Sequence, residues 1–310
     1  MKVSVIIVNY NTSDYLESCI DSVNKYEEKT ETEFIIVDNK SSDNSKSIIA
    51  ALTKKHKNVR SIFLDSNYGF AYANNRGYEI ATGEYILVLN PDVQLTESVF
   101  ENLIKLSSDL SIGAFGVKLF GLNGEFQKGY YQKSPSIIQY ILFYSIFSKP
   151  FLNNNTLKNR FLISHIDPQS KALQDTKQIP GAFMFMKSNV YKLLNGFNES
   201  FFLFFEDVDL SYRISKSYKL KIADIKVKHV GASSMMTANN KVYGYYVLSM
   251  LNFYRNNYKF FSYLIMKIII VYNTLFKIMI EYIKKLFHTD KPGIMEVQKY
   301  ILIKLFSKNG

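Results

Sequence analysis

The stretch that decides the fold is VSVIIV at residues 3–8, followed directly by the polar residues NYNT at positions 9–12. An apolar, largely β-branched run of this length is typical of a strand buried on both faces of a parallel sheet. The polar residues end the strand, and Ser13 or Asp14 can cap a helix that the pattern predicts as far as Tyr26. The chain therefore begins with a strand and then a helix.

The same alternation continues along the first third of the chain. Further strands are predicted at residues 33–38, 59–64, 84–89 and 112–117, with helices between them. This order indicates an α/β fold with a mainly parallel sheet flanked by helices. Ligands of such sheets bind at the carboxyl ends of the strands. Four polar residues follow strand ends, and we expect them at one edge of the sheet: Asn11, Asp38, Asn67 and Asp92.

A second stretch joins apolar residues to carboxylates. The sequence FFLFF at 201–205 runs into Glu206, Asp207 and Asp209. Apolar surroundings and neighbouring carboxylates both raise the pKa of a carboxyl group, which suits it to accept a proton near neutral pH. Alternatively, these acidic residues only occupy the first turn of a helix, where the helix dipole favours negative charge. Glu206 and Asp207 are therefore candidate acid–base residues, whereas Asp209 is expected to pair with Arg213.

Asp92 and His229 are candidate ligands for a divalent cation, Mg²⁺ or Mn²⁺. Asp92 ends the sequence Asn90-Pro91-Asp92 after a strand, and His229 follows Asp207 by 22 residues. Asn-Pro-Asp is also ordinary turn chemistry, and a lone histidine is more often structural. A hard cation that bridges a carboxylate and phosphate oxygens makes a nucleoside diphosphate a better leaving group.

Composition limits the classes of protein to consider. With 310 residues, of which 47% are hydrophobic and 21% charged, the chain is expected to be globular with a sizeable core. Cys19 is the only cysteine, which excludes an internal disulfide and fits a reducing cytosol. The first residues lead directly into a strand, so no signal peptide is expected. The net charge of +11 suits nucleic acid, anionic lipid or a phosphorylated substrate.

Residues 259–287 are predicted to form one apolar, amphipathic helix. Lys267 and Lys277 leave nine uncharged residues between them, against roughly 18 for a membrane span, so a span is not expected. The charged residues occupy one sector of roughly 100°: Lys267, Lys277, Glu281, Lys284 and Lys285. Such a helix lies in a membrane interface or packs on a protein core. The lysines that follow favour an anionic membrane surface over a core or nucleic acid.

A series of motifs in order resembles glycosyltransferase family 2 with the GT-A fold, and most closely its bacterial rhamnosyltransferase-like branch. The resemblance covers about residues 1–234. The motifs are Val3–Asn11, Ile36–Asn39, Asn67–Ala71 with Asn74–Gly77, Leu89–Asp92, Pro180–Ala182, Phe205–Asp209 and His229.

The resemblance implies an inverting sugar transfer in which Asp207 is the catalytic base and Glu206 orients the acceptor or raises the pKa of Asp207. Asp92 and His229 match metal ligands. The donor-binding residues that it implies are Asn9, Asn11, Asp38, Asn67, Gly69, Arg76, Asn90 and Asp92. Asn90 departs from the family pattern, because many members have Asp there, and this removes one charge from the metal site.

The expected domain arrangement is a catalytic domain at 1–234 and a helical extension at 235–310. The nucleotide half covers about 1–117 and the acceptor half about 118–234. The expected function is transfer of L-rhamnose from dTDP-rhamnose to a lipid-linked or polysaccharide acceptor in cell-surface polysaccharide biosynthesis. The enzyme would act at the cytoplasmic face of the membrane, and a homo-oligomer is compatible with this.

Two alternatives stay open: a UDP-sugar-dependent transferase of N-acetylglucosamine, galactose, galactofuranose or glucose, and a non-catalytic protein that binds sugar nucleotides or lipid. Two other classes are excluded by residues 9–12. Nucleotide-sugar pyrophosphorylases need a glycine-rich phosphate loop there, and dehydrogenases need Gly-x-Gly-x-x-Gly. The sequence NYNT offers neither.

Overall fold

The computed structural model describes residues 1–231, 241–287 and 293–307. Its strands are β1 (Lys2–Asn9), β2 (Glu31–Asp38), β3 (Val59–Phe63), β4 (Tyr85–Leu89), β5 (Val93–Leu95), β6 (Ile112–Phe120), β7 (Gln174–Asp175), β8 (Phe183–Lys187) and β9 (Lys219–His229). Its helices are α1 (Ser13–Tyr26), α2 (Ser45–Lys55), α3 (Phe70–Glu79), α4 (Phe100–Leu106), α5 (Ile137–Tyr144), α6 (Asn155–Leu157), α7 (Ser188–Leu193), α8 (Glu206–Ile214), α9 (Lys241–Asn257), α10 (Phe260–Leu286) and α11 (Ile294–Phe306). A 3₁₀ turn lies at Lys128–Tyr130 and a π turn at Lys158–Leu162.

The strands form one mixed sheet in the order β3-β2-β1-β4-β8-β6-β9-β5, and β7 pairs with β9 outside this path. The adjacent strands β3, β2, β1 and β4 are parallel to one another. β8 runs antiparallel between β4 and β6, and the short β5 runs antiparallel to the end of β9. The predicted α/β sheet flanked by helices is confirmed.

The core forms where the sequence pattern places it. From Val3 to Val8 every side chain of β1 is buried, as expected for a strand covered on both faces. α1 buries Leu16, Cys19 and Val23 among others, so the cysteine is a core residue, and burial raises the pKa of its thiol far above the ordinary value.

The register of the parallel strands sets the edge at which a ligand can bind. Asn9 at the end of β1 lies opposite Asp38 at the end of β2. β4 is also parallel to β1, and it ends at Leu89, immediately before Asn90. The predicted gathering of polar residues at one sheet edge therefore follows from the register.

The chain divides into two compact units. The first comprises Met1–Ser134, Ile163–Phe202 and the segment that begins at Glu206. The second comprises Pro135–Leu162, Leu203–Phe205 and the helices α9 to α11.

The second unit differs from the predicted extension, because it includes Pro135–Leu162, which the sequence assigned to the acceptor half. The reason is α5, whose tyrosines pack within this unit. Asn273 of α10 donates a hydrogen bond to the Tyr140 hydroxyl at 2.8 Å, and the Tyr144 and Tyr246 rings stack at 4.6 Å.

Gly69 is a position where the fold leaves no room for a side chain. Its φ is +89°, and a Cβ atom there would lie 2.2 Å from the carbonyl oxygen of Phe202. The next residue, Phe70, donates its N–H to that same oxygen at 3.2 Å. This contact holds the start of α3 against the segment that leads to Glu206.

We expect Gly69→Ala to lower the free energy of unfolding by about 1–3 kcal/mol. Alanine is strained at this positive φ, and its Cβ atom would overlap the Phe202 carbonyl oxygen. The measurement is urea denaturation. Gly129→Ala is the matched control, since a Cβ atom there has no heavy atom within 4 Å. An equal effect of the two substitutions would contradict this assignment of Gly69.

Candidate functional site

The carboxylate pair lies at the start of α8, just after a strained turn. Phe204 and Phe205 both have φ of +67°, a conformation that bulky side chains rarely adopt. The helix begins directly after them, with Glu206 and Asp207 as its first residues. Backbone strain of this kind is concentrated at functional sites.

Asp207 is half-buried and held by three hydrogen bonds. Its Oδ2 accepts from the Gly181 N–H at 3.0 Å and from Gln178 Nε2 at 3.2 Å, and its Oδ1 accepts from the Val208 N–H at 2.8 Å. Burial raises the pKa of Asp207, and these hydrogen bonds oppose the increase. The result is an oriented carboxylate with a higher proton affinity than a surface aspartate.

Glu206 is more deeply buried, and its Oε2 has no hydrogen-bond partner in the described part of the chain. Burial, together with the charge of Asp207, raises the pKa of Glu206 to about 8. At neutral pH this raised pKa favours the protonated form of Glu206. Two adjacent carboxyl groups in different environments are typical of acid–base sites.

Asp92 and His229 meet where β5 pairs with the end of β9. Val93 lies opposite His229 in the antiparallel register, which brings the neighbouring Asp92 to the same point. Asp92 Oδ1 is 3.5 Å from His229 Nε2, and Asp92 Oδ2 accepts the Gly231 N–H at 3.1 Å. Both side chains are buried. Burial lowers the pKa of His229, and the Asp92 charge opposes this.

Gln127 holds the imidazole of His229 by two hydrogen bonds. Its Oε1 accepts from His229 Nδ1 at 2.7 Å, and its Nε2 donates to the His229 carbonyl at 2.9 Å. Since an amide oxygen only accepts, Nδ1 carries the proton. In the neutral ring the Nε2 lone pair then faces an Asp92 carboxylate oxygen, an arrangement that a cation between them would stabilise.

Asp92 and His229 thus place one carboxylate oxygen and one imidazole nitrogen, two ligand types that divalent cations accept, 3.5 Å apart. Within residues 1–231, 241–287 and 293–307, no cluster of three or more His, Cys, Asp or Glu side chains could hold a metal. A cation at this point would need further oxygen ligands, which phosphate groups and water supply.

A short segment before β8 connects the two pairs of residues. The Gly181 N–H bonds to Asp207, and the carbonyl of the next residue, Ala182, accepts the Asn90 N–H at 3.0 Å. Asn90 is two residues from Asp92, and its side-chain amide has no partner among the residues that the structure describes. The acidic pair and the Asp92–His229 pair thus border one region.

Asn9 organises the strand edge on the other side. Its amide donates to Asp38 Oδ1 at 2.7 Å and to the Ser45 hydroxyl at 2.7 Å, and its carbonyl oxygen accepts from Thr12 at 2.8 Å. Asp38 Oδ2 also accepts the Ser41 N–H at 3.2 Å. Asp38 is thus buried and bonded within the chain, which leaves part of its acceptor capacity for a ligand.

The two neighbouring loops are held by asparagines. Asn11 has φ of +53°, and its side chain accepts the Ser42 N–H at 2.7 Å. Asn67 accepts from Asn39 Nδ2 at 2.9 Å and from the Gly69 N–H at 3.0 Å. These contacts shape the edge that the sequence predicted.

Arg76 is paired within the chain. Its guanidinium forms ion pairs with Glu79 at 2.8 Å and Glu199 at 2.9 Å and lies 4.7 Å from the Tyr72 ring centre. These contacts connect α3 to Glu199. Its role in donor binding stays a prediction.

Sequence reasoning missed Gln127 and Ser41. Gln127 contacts a residue 102 positions away, so no local pattern could reveal it. Ser41 bonds to Asn9 at 3.0 Å and to the Asn11 N–H at 2.9 Å. The serine-rich turn at 40–45 was a usable signal, but it indicated only a helix cap.

Comparisons with known proteins find a matching family model and several relatives. Residues 4–188 match the family model described as glycosyl transferase family 2. A poly(ribitol-phosphate) beta-glucosyltransferase of Bacillus spizizenii is 37% identical over 130 residues, which cover 40% of this chain and 20% of that protein. The poly(ribitol-phosphate) beta-N-acetylglucosaminyltransferase TarP of Staphylococcus aureus is 34% identical over 172 residues. These residues cover 51% of this chain and 52% of that protein.

A third relative, the GalNAc(5)-diNAcBac-PP-undecaprenol beta-1,3-glucosyltransferase of Campylobacter jejuni, is 28% identical over 174 residues, covering 52% of this chain and 56% of that protein. The chain thus spans from a fifth to just over half the length of these relatives.

Two solved structures share the fold. GalNAc-T7 with UDP, GalNAc and Mn²⁺ has a TM-score of 0.61 at 15% identity, covering 96% of this chain and 54% of that one. The mannosyltransferase PcManGT of Pyrobaculum calidifontis, in complex with GDP-Man and Mn²⁺, has a TM-score of 0.54 at 17% identity. The match covers 83% of this chain and 65% of that one.

We expect Gln127→Leu to weaken Mn²⁺ binding about 10–100-fold, because the imidazole loses the bond that fixes its tautomer. The measurement is an EPR titration of free Mn²⁺, with UDP or dTDP present. Gln169→Leu, at an exposed position, is the control and should bind Mn²⁺ as the wild type does. Unchanged affinity in Gln127→Leu would argue against a metal at His229.

Glu206→Gln should flatten the dependence of stability on pH. The pKa of Glu206 is about 8 in the folded chain against an ordinary 4.5, so the folded state binds more protons between these values. Its contribution to stability is therefore lost as pH rises from about 4.5 to about 8. Urea midpoints across this range measure the effect, with exposed Glu28→Gln as control. Identical profiles for wild type and Glu206→Gln would contradict the buried, protonated state.

Proposed function

Because this chain belongs to glycosyl transferase family 2, we propose that it transfers a sugar from a nucleotide donor to a hydroxyl group of a cell-surface polymer or its lipid-linked precursor. The observation that supports this most directly is the Gly181–Ala182 segment, which contacts Asp207 on one side and Asn90 on the other. It joins a candidate base to a candidate diphosphate site. The named relatives, which build cell-surface polymers, are consistent with this.

Asp207 is the proposed base of an inverting transfer. The acceptor oxygen attacks the anomeric carbon while its proton passes to Asp207, and the bond from that carbon to the phosphate oxygen breaks. The nucleoside diphosphate leaves from the opposite side, so the configuration is inverted. Hydrogen bonds from Gly181 and Gln178 hold the carboxylate in place, and its raised pKa strengthens it as a base.

Glu206 is proposed to act through Asp207. As a mainly protonated group at neutral pH, it adds no second negative charge beside the base. Its side chain can donate one hydrogen bond, either to Asp207 or to the acceptor.

Asp92 and His229 are the residues that would hold a divalent cation, Mg²⁺ or Mn²⁺. When bound, this cation neutralises the charge that develops on the departing diphosphate. Gln127 keeps the His229 Nε2 available for it, and the Gly231 N–H orients Asp92. Asn90 in place of a carboxylate lowers the negative charge around the site.

The donor edge is proposed to consist of Asn9, Asn11, Asp38, Asn67 and Gly69. Asp38, anchored by Asn9, is the acceptor for a base or ribose hydroxyl. Two classes of donor are proposed. The sequence favours dTDP-L-rhamnose, whereas the named relatives transfer glucose and N-acetylglucosamine. The second donor class is a UDP-sugar that carries one of these two sugars.

The acceptor is proposed to be lipid-linked and presented at the cytoplasmic face of the membrane. The name of the Campylobacter jejuni relative, which includes an undecaprenol-linked oligosaccharide, is consistent with such an acceptor. The basic charge of +11 favours an anionic surface or substrate.

Asp207→Asn should lower the transfer rate about 10²–10⁴-fold and leave nucleotide binding nearly unchanged, because the amide cannot take a proton. The donor is first chosen by thermal shift with Mn²⁺ against dTDP-rhamnose, UDP-glucose, UDP-N-acetylglucosamine and UDP-galactose. Transfer is then followed by release of the nucleoside diphosphate, and nucleotide binding by calorimetry.

Asp175→Asn is the matched control, since Asp175 is an exposed aspartate on β7. It should retain the wild-type rate. Wild-type turnover by Asp207→Asn would show that Asp207 is not the catalytic base. Nucleotide binding without any transfer by the wild type would favour the non-catalytic binding protein.

A further inference from the structure

The helix α10 packs with its polar side inward. Asn273, Thr274 and Glu281 are buried, although they lie in one of the most apolar segments of the chain. Asn273 Oδ1 accepts the Ile146 N–H at 2.8 Å, and its amide donates to the Tyr140 hydroxyl. These bonds satisfy the side chain of Asn273 within the second unit.

Lys277 fixes the same rotation of the helix. Its Nζ donates to the Tyr243 hydroxyl at 2.7 Å and to the Tyr144 carbonyl at 3.2 Å, and lies 4.3 Å from the Tyr243 ring centre. Burial lowers the pKa of this ammonium group to about 8. The charged stripe is thus partly turned into the unit.

The outward side of α10 is consequently apolar along its whole length. Exposed side chains recur every three or four residues: Phe261, Ile265, Ile268, Tyr272, Leu275 and Met279. A helix of 27 residues is roughly 40 Å long. The exposed apolar residues therefore form one continuous stripe and not isolated surface positions. Contiguous apolar surface of this extent marks an interaction site.

We propose that this outward stripe of α10 inserts into the interface of an anionic lipid bilayer, with the helix axis parallel to the membrane plane. Charge identifies the occupant. Two acidic residues, Glu281 and Glu296, lie within 241–287 and 293–307. Nine basic residues lie in the same ranges: Lys241, Arg255, Lys259, Lys267, Lys277, Lys284, Lys285, Lys299 and Lys304.

Basic residues near an apolar helix face attract anionic lipid, each contributing about 1 kcal/mol when close to the surface. Lys259, Lys285, Lys299 and Lys304 are exposed and can reach lipid headgroups. A second copy of this chain is a poorer occupant, because two strongly basic units would be brought together.

Insertion across the bilayer is a poorer solution as well. α10 is long and apolar enough to cross a membrane by composition, which the spacing of its lysines had argued against. Its polar residues, however, are bonded to α5 and α9 of the same unit. A crossing helix would carry these polar groups and those neighbours into the hydrocarbon at a high cost.

The inference refines where the proposed function takes place, but it does not require that chemistry. The chain contains no Trp, so single substitutions supply unique fluorophores. Phe261→Trp, Leu275→Trp and Leu286→Trp are made separately in the full chain. Each is mixed, without nucleotide, with vesicles of phosphatidylglycerol and phosphatidylcholine, some of which carry brominated acyl chains at known depths.

In-plane insertion predicts a blue shift and quenching at the same shallow depth for all three positions. A deep signal at 275 between two shallow ends would overturn the proposal in favour of a span. Absence of any shift would overturn membrane contact altogether. Leu110→Trp, at an exposed position in the first unit, is the control and should remain unshifted.

A pair of substitutions tests the stripe itself. Leu275→Ser with Met279→Ser, both nearly half-exposed, should weaken partitioning into anionic vesicles at least tenfold in a flotation assay. Leu110→Ser with Leu193→Ser removes exposed apolar residues elsewhere and should leave partitioning unchanged. Equal partitioning of both variants, or a wild-type dimer that only the stripe variant dissociates, would contradict the proposal. Transfer to a soluble acceptor, measured separately, keeps this outcome distinct from failure of the proposed function.

Discussion

The antiparallel pairing of β4 with β8 is the constraint on which the site depends. Leu89 lies opposite Phe183, and the pairing continues into the hydrogen bond between the Asn90 N–H and the Ala182 carbonyl. This register places the turn that contains Asp92 beside the segment that holds Asp207. A slip of one residue would reverse the faces of the strand and separate the two groups.

Burial gives the acidic groups of this site different roles. Glu206 is desolvated, and its Oε2 has no hydrogen-bond partner within residues 1–231, 241–287 and 293–307, whereas Asp207 is supported by backbone and side-chain donors. Burial raises the pKa of both groups, and the donors to Asp207 oppose this increase. At Asp92 the neighbour is instead a neutral imidazole whose tautomer Gln127 determines. One sheet edge thus combines the proposed proton acceptor with the two proposed cation ligands.

The parts of the fold that rest on local pattern could be predicted. The buried strand at 3–8 and the polar residues after each parallel strand are local features, so Asp38 and Asp92 were expected at one edge. The contacts of Gln127, the pairing of Arg76 with Glu199 and the grouping of Pro135–Leu162 with the last helices depend on distant residues. The rotation of α10 about its axis could not be predicted from the periodicity of its apolar residues. Such a pattern does not tell which side of a helix the protein covers.

The most direct test of the account is the position of a bound metal. Crystals grown with Mn²⁺ and a nucleoside diphosphate would show an anomalous peak for manganese. The account predicts this peak beside the Asp92 carboxylate and His229 Nε2, with the diphosphate on the side of Asp207. A peak elsewhere, or a diphosphate bound away from all three residues, would contradict a single transferase site.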